Sequence, residues 1–495
     1  MCPQGERLAT IVVEQWINFN SSFALHIPIR VVPHMERKRA DESDSAMDDL
    51  QQALKGVRLT YADGLYNWQV DLSIRKNKDR ESMSTRSIKG VSLRGFTNRG
   101  WVYSNTNRTD HRTIARLARS LNRSRSTDAP QLCRPDAIKL DKKAPVKKDA
   151  RDVTLEEKLR TVRNIFSLAQ SMDPRIVDVR VDYSESYMER TLVTSQGTEA
   201  RQLVPRTRIM LAVIVKEDGV TDYDYVLMGG VVGYEVVDDL TETVVKGTVQ
   251  SAAEQLKAAA PPLGLHKVIL DPGVVGTVCH ESFGHGLEAD QALRGRSYLK
   301  DMIGKKVASD LVTMYEDPTL EGAYGSYYFD DDGTLSRKNT IVENGVLVSF
   351  IHDMETAVAM KASLTGNSRT QNATRRRFIR MSNTYAKPGD WSVDDMIKDT
   401  KHGVMLVHWQ SGMEDPLGGG MQVIAKRGYL IENGQKTKPI KSIALSGRVL
   451  EVLGNVDAVS KEGFQVEAGT CGKGSEDYIP VGSGGTWWRT TAVIG

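Results

Sequence analysis

Hydrophobic and polar positions change period several times along the chain, and each change marks an element. Over residues 59–103 the alternation Trp68-Gln-Val-Asp-Leu-Ser-Ile74 puts Trp68, Val70, Leu72 and Ile74 on one face of a strand. Gly90-Val-Ser-Leu-Arg-Gly95 and Gly100-Trp-Val-Tyr103 read as a further strand pair. Asp110 then caps a helix with Ile114, Leu117, Ala118 and Leu121 on one face and Arg112, Arg116 and Arg119 on the other, a solvated face. Residues 123–153 hold Pro130, Pro135 and Pro145 among many Lys and Arg, the composition of a linker or long loop. Thr154-Leu-Glu-Glu157 is a capping box that opens an amphipathic helix. Three or four strands follow over 175–230, divided by the turn signals Ser195-Gln-Gly197 and Glu217-Asp-Gly219, and residues 236–259 return to helical spacing.

Pro261-Pro262 marks a domain boundary. His266-Lys-Val-Ile-Leu-Asp271 reads as a buried strand. Beyond it, hairpin signals recur at Asp330-Asp-Asp-Gly333, Asn344-Gly345 and Asn433-Gly434, interrupted by a helical stretch at 354–364. The expected fold class is α+β. A peripheral or disordered extension (1–45) precedes a mixed α/β N-terminal domain (46–260) and a β-rich, barrel-like antiparallel C-terminal domain (261–495). At 495 residues a single compact core is excluded.

Charge adds an exclusion. The 66 basic and 63 acidic residues nearly cancel, which argues against a dedicated nucleic-acid binder. No apolar run is long enough to span a bilayer, and the amino terminus does not read as a signal peptide. Cys2, Cys133, Cys279 and Cys471 form no disulfide framework, so a cytoplasmic setting is expected.

The candidate chemistry lies in Val278-Cys-His-Glu-Ser-Phe-Gly-His-Gly-Leu-Glu-Ala-Asp290. His280 and His285 can hold zinc, and Glu281 can take a proton from an activated water. In a regular helix, positions five apart diverge by about 140°, so this HExxxH spacing predicts a π-type distortion between the histidines. Gly284 and Gly286 make such a distortion inexpensive. A catalytic zinc takes three protein ligands, and the third candidates are Cys279, Glu288, Cys471 and the remaining histidines. The run Gly412-Met-Glu-Asp-Pro-Leu-Gly-Gly-Gly420 offers Gly418, Gly419 and Gly420 as backbone for an extended peptide, or else is an ordinary loop.

The motif region resembles the TldD subunit of the TldD/PmbA metalloprotease family. The likeness continues through Gly295-Arg-Ser-Tyr-Leu299, Gly325-Ser-Tyr-Tyr-Phe-Asp-Asp-Asp-Gly333, Thr365-Gly-Asn-Ser-Arg369, Arg380-Met-Ser-Asn-Thr384 and Gly469-Thr-Cys-Gly-Lys473, covering nearly all of 262–495. It implies that His280, His285 and Cys471 bind Zn2+, that Glu281 is the general base, and that small or unfolded peptides are hydrolysed. It also implies a heterodimer with a PmbA-like subunit, a homodimer being the other form. The sequence departs from the family pattern after Lys473, at Gly474-Ser-Glu-Asp477, and at Trp487-Trp488. The alternatives are a structural zinc site, which needs a fourth ligand, and a non-catalytic regulator of the DNA gyrase modulator type, which would draw on Arg375-Arg-Arg377.

Overall fold

The computed structural model describes residues 40–124 and 131–495, so the expected extension over 1–45 lies almost wholly outside the described residues. The first sheet is built from β1 (Tyr61–Lys76), β2 (Glu81–Thr97), β3 (Gly100–Thr106), β4 (Lys139–Lys143), β5 (Ile176–Thr194), β6 (Glu199–Glu217) and β7 (Val220–Gly230). Its order is β3-β2-β1-β5-β6, with both β4 and β7 pairing to β6. The β5–β6 and β6–β7 turns fall at the two glycine signals. Asp218 and Gly219 both take positive φ (48° and 82°), the conformation a two-residue hairpin requires.

Two expectations need correction. Residues 123–153 are not all loop: β4 pairs in parallel with Glu199–Leu203 on β6. Its sequence, Lys-Leu-Asp-Lys-Lys, keeps four of five side chains exposed, so no apolar alternation betrays it. Similarly, β2 begins nine residues before Gly90, because its first half is an exposed polar ribbon paired with β1 along its whole length.

Side chains of β1 alternate between two environments. Trp68 and Ile74 face helices α1 (Ala40–Leu54), α2 (His111–Leu121), α3 (Leu155–Gln170) and α4 (Glu242–Gln255), in clusters with Leu50, Ile114, Val162 and Val245. Asp110 and Thr154 cap α2 and α3 by accepting from the backbone N–H of Thr113 and Glu157, and Arg112, Arg116 and Arg119 lie exposed as expected. On the opposite face, Leu65 packs with Leu192, Ala200 and Phe329.

The C-terminal half contains β8 (Gly264–Leu270), β9 (Met314–Glu316), β10 (Asn339–Glu343), β11 (Val346–Leu347), β12 (Ser368–Arg369), β13 (Phe378–Ile379), β14 (Asn383–Ala386), β15 (His402–Glu414), β16 (Gly420–Glu432), β17 (Gln435–Arg448), β18 (Ala458–Val459), β19 (Gln465–Lys473), β20 (Glu476–Gly485) and β21 (Trp488–Ile494). Strands β8, β15, β16, β17 and β21 close into a barrel through the β17–β21 pairing. All its pairings are antiparallel except β8–β15. Val268 and Leu270, Val404 and Leu406, Val423 and Ala425, and Ile443 and Leu445 share one apolar cluster, which continues into the motif helix. A second sheet, β11-β10-β9-β14-β20-β19, lies on the helix's other side.

Of the three later hairpin signals, Asn344-Gly345 and Asn433-Gly434 join strands, whereas Asp330–Gly333 forms a buried loop closed by a single Phe329–Leu335 bridge. Its three carboxylates are buried: Asp330 accepts from the backbone N–H groups of Asp332, Thr334 and Ser368, and Asp331 pairs with Arg190. Asp332 pairs with Arg94 and Arg377, and both of these also bind Asp63 of β1. Arg377, read from sequence as part of a basic cluster, is thus an interior residue.

Candidate metal centre

Asp271 fixes where the motif helix starts. One carboxylate oxygen accepts from Val274 N at 2.8 Å and the other from His408 N at 2.7 Å, tying the helix to β15. Pro272 occupies the first turn of α5 (Pro272–Thr277), where a missing N–H costs nothing. Gly276 then permits contact with β20. A Cβ there would lie 2.6 Å from Gly484 N and 2.7 Å from Ser483 C, both rigid backbone.

The chain next runs as a π-helix over Val278–Gly284, followed by a 3-10 turn over His285–Leu287. This is the distortion that the five-residue spacing demands. It brings His280 and His285 to a centroid separation of 5.4 Å with rings at 80°. Cys471, on β19, approaches from the second sheet with Sγ 3.4 Å from His285 Nε2. One ligand atom each from His280, His285 and Cys471 lies within 4.8 Å of the others. Glu281 stands beside them, a carboxylate oxygen 3.8 Å from His285 Nε2 and its side chain about one-third exposed at 36%.

The donor chemistry fits a zinc ion. Two imidazoles and a thiol are zinc ligands, and His280 Nδ1 is buried with no hydrogen-bond partner among the described residues. Burial alone would raise the Cys471 thiol, but the adjoining His280 and His285 hold it well below its ordinary value. Cys279, by contrast, is buried in the apolar core, which raises its thiol.

Glu288 lies in the next layer. Its carboxylate is 3.6 Å from His285 Nδ1, on the opposite side of the ring from Cys471, and 3.0 Å from Lys473 Nζ. Although burial opposes ionisation, Lys473 and His285 bring its pKa down to about 2. A buried carboxylate against the far nitrogen of a histidine fixes that ring's orientation. Lys473 also reaches Asp290 at 2.7 Å, so β19 supplies both the thiol and the cation that secures its histidine neighbour.

Gly418, Gly419 and Gly420 close the β15–β16 hairpin. Gly419 N donates to Asp415 O and Gly420 O accepts from Asp415 N, so much of this backbone is already committed. Gly419, at φ 68°, packs on the Tyr298 ring, whose hydroxyl donates to Ser282 O at 2.8 Å. The hairpin therefore adjoins the motif helix. Two residues escaped the sequence reading. Glu414 ends β15 near the centre, with one carboxylate oxygen buried and unpartnered, and burial lifts its pKa to about 7. Tyr298 is the other. Neither carries a local pattern that would single it out.

Residues 264–480 match the PmbA/TldA metallopeptidase C-terminal domain and residues 148–260 its central domain. The chain belongs to this family. It is 35% identical over 442 residues to a metalloprotease of Methanocaldococcus jannaschii, covering 88% of this chain and 96% of that protein. It is 27% identical to a zinc metalloprotease TldD homolog of Saccharolobus solfataricus, covering 86% and 94%. Among solved structures, TldE from Thermococcus kodakarensis superposes with a TM-score of 0.75 at 18% identity, over 91% of this chain and 99% of that one, and so has the same fold.

Proposed function

We propose that the chain is a zinc-dependent metallopeptidase in which His280, His285 and Cys471 hold the ion and Glu281 is the general base. The observation that carries this reading is the meeting of those three donors beside a carboxylate that remains accessible to solvent. Bound zinc would supply Lewis acidity to the scissile carbonyl and acidify the attacking water. Glu281 accepts the water's proton and returns it to the leaving amine as the peptide bond breaks. Glu288, backed by Lys473, holds His285 in its ligating orientation. The hairpin carrying Gly418, Gly419 and Gly420 forms the substrate-facing rim, and short or unfolded peptides reach the centre along it.

A structural zinc site needs four protein ligands, and only three donors converge among the described residues. A PmbA-like subunit, or a second copy of the chain, completes the dimer that the family resemblance implies. Cys471 as a thiolate ligand favours a reducing, cytoplasmic compartment, where it is protected from oxidation. No described helix is long and apolar enough to cross a membrane. The test is removal and return of the metal. Chelation should abolish cleavage of an unstructured peptide and stoichiometric Zn2+ should restore it, with Mg2+ ineffective; chelator-resistant cleavage would refute the assignment.

A further inference from the structure

The face of the first sheet turned away from the helices does not close fully on the C-terminal half. Between them lies a cavity of about 340 Å3, near the lower end of the range for small-ligand sites. It is separate from the metal centre. Thr470 lines it, and the next residue, Cys471, points to the other face of β19.

Its lining carries more basic than acidic groups. Arg75, Arg86, Arg190, Arg206, Arg208 and Arg369 face Asp71, Glu185, Asp330 and Asp331, and Glu185 is already paired with Lys158. Arg190 is neutralised by Asp331. Asp330 is deeply buried, and its two oxygens are taken up by the backbone N–H groups of Asp332, Thr334 and Ser368 rather than by an arginine. Arg206 and Arg369 are 2% and 5% exposed, yet neither has an acidic partner within ion-pair distance among the described residues. Arg206 donates Nε to Tyr324 O and Nη2 to Ser326 O, while Arg369 donates to Met381 O and Pro480 O. All four acceptors are neutral carbonyls.

A guanidinium cannot shed its proton as a buried lysine can, so two such groups around one cavity carry a standing desolvation cost. Burial and their mutual repulsion are felt strongly enough to bring Arg206 down to about 9. Arg208, half-buried at the cavity wall, adds a third guanidinium, with Nε bonded to the neutral Ser184 Oγ at 3.1 Å. Aromatic surface is also present. The Arg369 guanidinium lies 4.8 Å from the Tyr327 ring centre, and Tyr324 faces both Arg206 and Arg208.

We propose that this cavity binds a small organic oxyanion, a carboxylate or a phosphate ester, through the guanidinium groups of Arg206, Arg208 and Arg369. The planar forks match two-oxygen anions, and the tyrosines contact the ligand's carbon skeleton. Such a site places an anionic ligand at the junction of the two halves of the chain, behind the strand that carries Cys471.

The test is calorimetric titration of the full chain with glutarate and, separately, glycerol 3-phosphate. At least one should bind, and the tighter of the two identifies the anion class. Losing one charge-assisted contact weakens binding roughly ten- to a hundredfold, so Arg206→Met and Arg208→Gln should each do so while leaving zinc content unchanged. Arg208→Gln removes a group with no role in tying loops together, and it decides the matter if Arg206→Met fails to fold. The proposal is overturned if neither probe binds at millimolar concentration, or if both variants bind as tightly as the natural chain.

Discussion

Cys471 Sγ and His285 Nε2 lie 3.4 Å apart although 186 residues separate them in sequence. The histidines come from a helix and the thiol from a strand of the sheet behind it, so the centre exists only when the C-terminal half is folded. Cys471→Ala should therefore lose zinc affinity by several orders of magnitude while the fold persists. Metal analysis after dialysis at fixed free zinc checks this; a full equivalent retained by the variant would mean that another group is the third ligand.

Glu288 and Lys473 act one layer out. Partners of this type change metal affinity by roughly 10- to 100-fold. Glu288→Gln should release zinc faster to a competing chelator and lower activity in proportion to occupancy. Restoring occupancy with excess zinc should recover most of that activity, which loss of a direct ligand would not allow.

What the sequence disclosed and what it hid follow from locality. The HExxxH spacing is local, and geometry alone required a non-α turn between His280 and His285, as the π-helix over Val278–Gly284 provides. Turn glycines and helix caps were legible for the same reason, since Asp110, Thr154 and Gly219 act on neighbours. Cys471 was one of several third-ligand candidates that the sequence left open, and only the family resemblance set it with the two histidines. Glu414 and the Asp63–Arg94–Asp332–Arg377 network could not be read, because each depends on a tertiary contact with no periodic trace. Exposed strands such as β4 escaped because a polar edge strand has no apolar alternation to detect.

The buried network joining β1 to the Asp330–Gly333 loop should matter for stability. Removing one partner of a buried ion pair leaves an uncompensated charge, at a cost of about 3–5 kcal/mol. Asp332→Asn should lower the denaturant midpoint accordingly. A change within error would mean that Asp63 alone satisfies both arginines.

Gly276 sets the helix against β20. Alanine there meets the β20 backbone at Ser483 and Gly484, and overpacking of this kind costs roughly 1–3 kcal/mol. Gly276→Ala should destabilise the chain and reduce zinc retention together, read by thermal unfolding with and without metal. Undiminished stability would show that the helix can move away from the strand freely.

His352 gives the acid limb. Burial lowers its pKa to about 4, below the ordinary 6.5. The unfolded chain thus binds the proton first, and stability present above pH 6.5 falls as pH drops towards 4, by up to roughly 3 kcal/mol. His352→Gln should flatten that part of the stability–pH curve. An unchanged slope would place the titration elsewhere.

The most direct test of the hydrolytic mechanism is Glu281→Gln, assayed for zinc content and for cleavage of an unstructured peptide, with a PmbA-type partner subunit present. Glutamine keeps the shape beside His285 but cannot accept the water's proton. One equivalent of zinc with cleavage reduced by at least roughly a hundredfold is expected. Cleavage at the natural rate by the zinc-loaded variant would contradict the role of Glu281 and the mechanism built on it.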